Sequence, residues 1–151
     1  MGYGPVQASV QELNLATATA QHNVGDKIIV DGVEYTYTQA DDTITQYQAV
    51  SLDVAADANA KKVTPSSAVI GNLFGVAQIA VTDEYFFWCA TRGMVTCNIA
   101  TAATAGLLLA PSATAGVLIA PNSNGSEVTH VRAVAMEAGA ATNAPKRIYL
   151  F

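Results

Sequence analysis

Residues Ala102–Pro111 read AATAGLLLAP, and after Ser112 the pattern returns as ATAGVLIAP over Ala113–Pro121. Each unit is a small-residue turn that feeds a short aliphatic run closed by proline. A period of about ten residues is too short for a helical solenoid unit, which takes about twenty or more, but it matches strand plus turn in an all-β domain. The repeat is architecture rather than chemistry.

Working outward, the same style continues on both sides. Downstream, Asn122-Ser123-Asn124-Gly125 marks a turn, Val128–Met136 (VTHVRAVAM) reads as a strand, and Arg147–Phe151 (RIYLF) closes the chain after a small AGAATNAP loop. Upstream, Leu73–Val81 (LFGVAQIAV) and Tyr85–Ala90 (YFFWCA) are near-continuous apolar runs expected to form central, doubly covered strands, with Met94–Ile99 after them. Ahead of these, Thr43–Val54 alternates in part, and the long connection to Asn72 holds Asp, Asn, Pro, Ser and Gly signals with room for one short strand. The strongest local signal is Asp31-Gly32 within DKIIVDGVEYTYT, because a type I′ turn needs positive φ at both central positions. That turn fixes the register: Val30 opposite Val33 and Ile28 opposite Tyr35 on an apolar face, Ile29 opposite Glu34 and Lys27 opposite Thr36 on a polar one. The expected fold is all-β: one domain of about eight to ten short strands, a sandwich or small barrel. Residues 1–24 read as an extended N-terminal arm and residues 25–151 as the β-rich domain, with no amphipathic helix.

Composition bounds function. The chain has 151 residues, 51% hydrophobic and 13% charged, with a net charge of −5. Alanine supplies more than a third of the hydrophobic residues, and it buries little compared with the roughly 1.5–3 kcal/mol of a buried Val, Leu or Phe. A thin core with few charges points to a surface completed by a partner. Seven Lys and Arg against twelve acids leave no phosphate-tracking groove, so nucleic acid is not an expected partner. No run approaches the roughly 18–20 apolar residues of a membrane span, and MGYGPVQASVQELNLATATA lacks a signal-peptide pattern, so a soluble, cytoplasmically made protein with no membrane partner is expected.

No catalytic or metal constellation emerges. His22 and His130 are far apart, there is no CxxC, HxxxH or GxSxG, and the acids Asp26, Asp31, Glu34, Asp41 and Asp42 lack calcium-loop spacing. No cofactor, metal or enzymatic activity is expected. Asn124-Gly125-Ser126 reads as a turn rather than a glycosylation site. Cys89 and Cys97 would face each other if the chain folded back around Gly93, or lie more than about 20 Å apart on one strand kinked there; free thiols are expected. A rival reading is a carbohydrate- or receptor-binding module stacking sugars on Tyr35, Tyr37, Tyr47 and Trp88, although a core position is expected for Phe87 or Trp88.

The order of motifs resembles the capsid decoration (cement) proteins of tailed bacteriophages: Gly25-Asp26, Gly75-Val76-Ala77, WCATRGMV at Trp88–Val95, TAG turns at Thr104–Gly106 and Thr114–Gly116, and AVAMEAG at Ala133–Gly139. The resemblance spans about residues 24–151; the aromatic-rich first hairpin and the duplicated TAG-aliphatic-Pro unit depart from it. It implies a structural virion protein, a β-rich homotrimer made in the host cytoplasm and bound to the outer surface of an icosahedral head, clamping neighbouring major capsid proteins. Contacts with the capsid or between copies would then fall to Tyr3, Pro5, Val10 and Leu13 in the arm and to Arg92, Leu107 and Leu109 in the domain. The arm would add a strand to a capsid sheet edge, and deleting residues 2–20 would leave the domain folded.

Overall fold

The Asp31-Gly32 turn forms with φ of 51° and 77° at its central residues. It joins β1 (Lys27–Val30) to β2 (Val33–Ala40) in the expected register, with Val30 opposite Val33 and Lys27 opposite Thr36. Ile28 is buried while Ile29 is 74% exposed, so β1 is two-faced as its alternation requires. The computed structural model describes residues 8–53, 62–66, 72–100, 103–120, 132–138 and 143–151.

The remaining elements are α1 (Val10–Leu13), β3 (Ala49–Leu52), β4 (Lys62–Pro65), β5 (Leu73–Val76), β6 (Phe86–Ile99), β7 (Leu108–Pro111), β8 (Leu118–Ile119), β9 (Ala133–Ala135) and β10 (Ala144–Leu150). The chain is nearly all-β and forms a single domain around a small closed five-stranded barrel with additional strands. Sheet order runs β1-β2-β4-β3-β5-β6-β10-β9-β7-β8, and β2 also pairs with β6, which closes the barrel. Of the two architectures expected, the barrel is the one formed. Closure removes the sheet edges that a sandwich would leave open.

β6 is the spine. Its first half pairs with β2 from Gln39↔Phe86 to Glu34↔Arg92, and its second half pairs with β10 from Leu150↔Gly93 to Ala144↔Ile99. Beyond β10, β9, β7 and β8 follow, and β8 returns to β6 through a parallel pair at Ile99↔Leu118. Two cores result. Ile44, Val50, Val63, Val81, Phe87 and Cys89 fill the first half, while Val95, Ile99, Leu109, Leu118, Ile148 and Leu150 fill the second. Cys89 and Cys97 are free and buried, eight positions apart along one strand. Burial pushes both thiols well above their ordinary range, so neither supplies thiolate at neutral pH.

The repeat builds a hairpin. In both units the aliphatic residue after Gly donates its N–H to the Thr carbonyl, Leu107 to Thr104 and Val117 to Thr114. β7 and β8 then pair antiparallel at Ala110↔Ile119 and Pro111↔Leu118. The Ser112 hydroxyl accepts the Thr114 N–H at 3.1 Å and fixes the connection. The second turn also ties the two halves together, since Gly116 accepts the Ala49 N–H and donates to the Ser66 carbonyl.

Three expectations change. Leu73–Val81 is not one strand: β5 stops at Val76, and Val81 makes an isolated bridge with Ile44. Phe86–Ala90 and Met94–Ile99 belong to one continuous strand, which starts one residue after Tyr85, because Gly93, at φ 104°, lets β6 pass the hairpin turn rather than reverse. Part of the arm is not free: Ser9 and Glu12 form a reciprocal capping box that starts α1. Leu13 is buried against Tyr37 and Trp88, and Thr17 bridges to Phe86. Removing residues 2–20 would therefore uncover core aromatics, which corrects the expectation that the cut spares the domain. Val128–Val131 and the Asn124-Gly125 turn lie outside the described residues.

Candidate interaction surface

Register alone separates an inner from an outer face in the second half of the molecule. Gly93 pairs with Leu150, Leu150 with Ala133, and Ala133 with Leu109; all four are buried, so this row faces the core. Side chains alternate along a strand, so the neighbouring row must point outward. That row is Met94, Tyr149, Val134 and Leu108, paired in that order across β6, β10, β9 and β7. Met94, Tyr149 and Leu108 are exposed and Val134 is half-buried.

Arginines border the row on both sides. Two residues along from Met94 and Tyr149, Arg92 and Phe151 flank the Gly93↔Leu150 pair that ends the β6–β10 ladder, and both are exposed. Phe151 donates its N–H to the Arg132 carbonyl, and Arg132 returns a hydrogen bond from Nε to the Phe151 carbonyl at 3.3 Å. On the other side Arg147 pairs with Thr96, and Met136 donates its N–H to the Arg147 carbonyl. Arg147 Nε also donates to Glu137, which holds that carboxyl below its ordinary range. Arg92, Arg132 and Arg147 are all the arginines of the chain.

The residues expected to make contacts separate accordingly. Arg92 lies on this outer face and Leu107, 43% exposed, lies at its margin before β7. Leu109 does not: it is fully buried opposite Ala133, because strand alternation that puts Leu108 outside puts Leu109 inside. Leu13 is likewise buried, under the aromatic pair, while Val10, at the first turn of α1, is 66% exposed. Tyr3 and Pro5 lie outside the described residues. Met94, Leu108, Val134, Tyr149 and Phe151 were not singled out in the sequence, since nothing local shows that four strands distant in sequence align them.

A second feature lies under the arm. A cavity of about 340 Å³ is lined by Glu12, Leu15, Thr17, Gln21, His22, Tyr37 and Trp88. The His22 ring sits 5.0 Å from Trp88 and 5.2 Å from Tyr37, centroid to centroid, and its Nε2 is 3.5 Å from Glu12. The Tyr37 hydroxyl accepts the Gln21 N–H at 3.0 Å. Tyr37 and Trp88 are in the core rather than on an open platform, and Tyr35 and Tyr47 are half-buried. A sugar-stacking surface built from these four is not present.

Elsewhere the polar groups serve the fold. Glu34 accepts Lys27 Nζ at 3.0 Å and the Thr91 hydroxyl at 2.9 Å, and Lys62 bonds Glu84 at 2.8 Å and Asp41 at 3.2 Å. Among the described residues, no group of three or more His, Cys, Asp or Glu is placed to hold a metal ion. Hydrogen bonding holds Glu34, through Lys27, and Glu12, through the Ser9 N–H, below the ordinary carboxyl value of 4.5. It holds Lys62, through Glu84, above 10.5, and burial holds Tyr35 above 10.0. The depressed carboxyls stabilise fully above their unfolded value and lose that contribution as pH falls; the raised groups lose theirs as pH rises. The melting temperature should therefore be flat from about pH 5 to about pH 9.5 and fall on both sides. Calorimetry across that range checks this, and a melting temperature still climbing between pH 6 and 9 would contradict it.

Comparison with protein-family models and with curated proteins finds no match to this chain. The arrangement defines a class on its own terms: a closed β scaffold presenting a shallow apolar row between arginines.

Proposed function

We propose that this chain is a structural protein of a tailed-bacteriophage head, bound as a homotrimer to the outside of the icosahedral shell, where it cements contacts between major capsid proteins. The observation that carries the reading is the outer face of β6, β10, β9 and β7. Its apolar row is held by backbone pairing rather than by a loop, so it docks without an ordering cost. The order of motifs along the chain, from Gly25-Asp26 to the Ala133–Gly139 stretch, supports the same reading. Several such faces on one oligomer gain effective concentration from engaging neighbouring subunits together, which is what a shell under outward pressure needs from a clamp. The role is mechanical rather than catalytic.

The test is quantitative mass spectrometry of purified virus particles from the source, reading this chain against the major capsid protein. A one-to-one ratio or a simple fixed fraction is expected. A handful of copies per particle would assign the chain to a fibre or tail instead, and absence would end the virion reading.

The cavity beneath the arm favours a second reading, a recognition module for a carbohydrate or receptor group. A reproducible glycan hit that quenches the fluorescence of Trp88, the chain's only tryptophan, would support it.

A further inference from the structure

We propose that the outer face of β6, β10, β9 and β7 docks an acidic protein surface with an apolar centre, and that this partner is the shell subunit rather than a second copy of the chain; the inference rests on the capsid reading above. Charge is the first argument. None of the four strands carries an acidic residue, yet all three arginines lie on or beside them. With Glu137, already held by Arg147, the face has a formal charge of +2 on a chain whose net charge is −5. Glu34 borders Arg92 but is engaged by Lys27. A chain this acidic has concentrated its guanidinium groups around an aligned apolar row.

Composition is the second argument. Interfaces are enriched in aromatic residues, Met and Arg and depleted in Lys and Glu, and the face presents Met94, Tyr149, Phe151 and Arg92 together. Arginine forks match carboxylates bidentately; Arg147 is held by Glu137 and Arg132 bonds the Leu73 and Phe151 carbonyls, so Arg92 is the fork most open to a partner, and acidic side chains around an apolar centre are the complement the face would recognise.

The same chemistry disfavours self-docking through this face. An isologous contact brings a second set of three arginines and one carboxylate already in use, so the charges have nothing to pair with. Size matters as well. Four strands about 4.8 Å apart and three rows about 7 Å apart cover on the order of 400 Å², against about 800 Å² per partner in a standard interface. The face is therefore the centre of a contact whose affinity per copy is modest and whose grip depends on several copies engaging at once.

The experiment adds the full chain to purified particles assembled without it and measures the co-sedimenting fraction at increasing NaCl. Binding should weaken about tenfold or more between about 50 and 300 mM salt, because charge pairs at a rim are screened on that scale. Arg92→Glu should lose about tenfold at low salt while Arg92→Lys keeps most of the binding; Arg92 is exposed, so both variants stay folded, with the melting temperature unchanged for Arg92→Lys and slightly lowered for Arg92→Glu, whose new carboxylate faces Glu34 across β2 and β6. Met94→Asp provides a second, independent disruption of the row. Wild-type binding that is indifferent to salt and to Arg92→Glu and Met94→Asp would overturn this assignment while leaving the cement role standing. No binding of the wild-type chain at any salt would remove both. Variants that bind particles normally but change the chain's own oligomeric state would show that the occupant is a second copy.

Discussion

Replacing Gly93 with alanine should lower stability by about 3–4 kcal/mol, from a backbone-strain cost of roughly 1–3 kcal/mol and an overpacking cost of similar size. Gly93 has φ 104°, and a Cβ there would sit 2.7 Å from the Gly32 carbonyl oxygen and 3.1 Å from the Val33 Cα. Both contacts are with backbone of the Asp31-Gly32 hairpin, which is itself pinned by β1–β2 pairing and cannot yield as a side-chain tip would. The crossing point matters because β6 hands over from β2 to β10 at this residue. Gly106→Ala is the control: its φ is 86°, but nothing lies within 4 Å of the added Cβ, so only the conformational cost of about 1 kcal/mol applies. Thermal melting should separate the two by about 5 °C or more, given about 2–4 °C per kcal/mol at this chain length. Equal melting temperatures would mean that the hairpin does not press on β6. Because Arg92 and Met94 flank the glycine, Gly93→Ala should also disturb the outer face, so its effect on particle binding would exceed what lost stability alone explains.

That crossing also marks the boundary of what local reading of the sequence could reach. The turn and register of the first hairpin were legible because they are set by residues within one short stretch, Asp31 and Gly32 supplying positive φ; the two faces were legible for β1 alone, since β2 is covered on both sides and buries Thr36 as well as Tyr37. The TAG turns were legible for the same reason. The continuity of β6 was not, since a glycine between two apolar runs is compatible with reversal or with passage, and the decision is made by the hairpin packed against it. β5 ends early for a similar reason: Gly75 closely approaches the Ala90 carbonyl and Cys89, and the apolar Ala77 and Val81 beyond it fill the barrel interior without pairing as one strand. The capping box is legible in the sequence as Ser9 and Glu12, three residues apart, ahead of the apolar Leu13.

The interaction surface was legible only in fragments. Arg92 and Leu107 stand out singly, but the two repeat units illustrate why a face cannot be assigned from one strand. Leu108 and Leu118 occupy the same place in the repeat, yet Leu108 is exposed and Leu118 is fully buried. The first unit pairs with β9 and leaves its alternate residues on the outer face, whereas the second returns to β6 at Ile99 and turns its leucine into the core. Near-identical local sequence, GLLLAP against GVLIAP, thus gives opposite burial because the partners differ, and the partners are set by pairings between residues far apart in the chain. The row from Met94 to Leu108 is a product of three such registers together.

Trp88→Ala should be the other severe substitution, costing about 3–5 kcal/mol as a truncated core aromatic. Trp88 is 1% exposed, pairs with Tyr37 across β2 and β6, and lies on the outer side of the barrel wall, where alternation alone would leave it in solvent. It is covered because α1 and the hairpin close over it: Leu13, Ile28 and Tyr37 form one cluster with it, and His22 stacks at its edge. Losing the indole should release the segment from Ala8 to Val24 as well as lower the melting temperature by about 10 °C. Faster amide exchange or proteolysis confined to that segment is the readout that distinguishes arm release from general loosening. Trp88→Phe should cost far less, about 1 kcal/mol, because it keeps most of the apolar contact. It also removes a buried indole N–H that has no hydrogen-bond partner among the described residues, so its deletion forfeits no bond and relieves a desolvation cost. If Trp88→Phe proved as damaging as Trp88→Ala, the indole N–H would have to be satisfied in solution, and the cavity lined by Glu12, His22 and Trp88 would be the place to look for its acceptor.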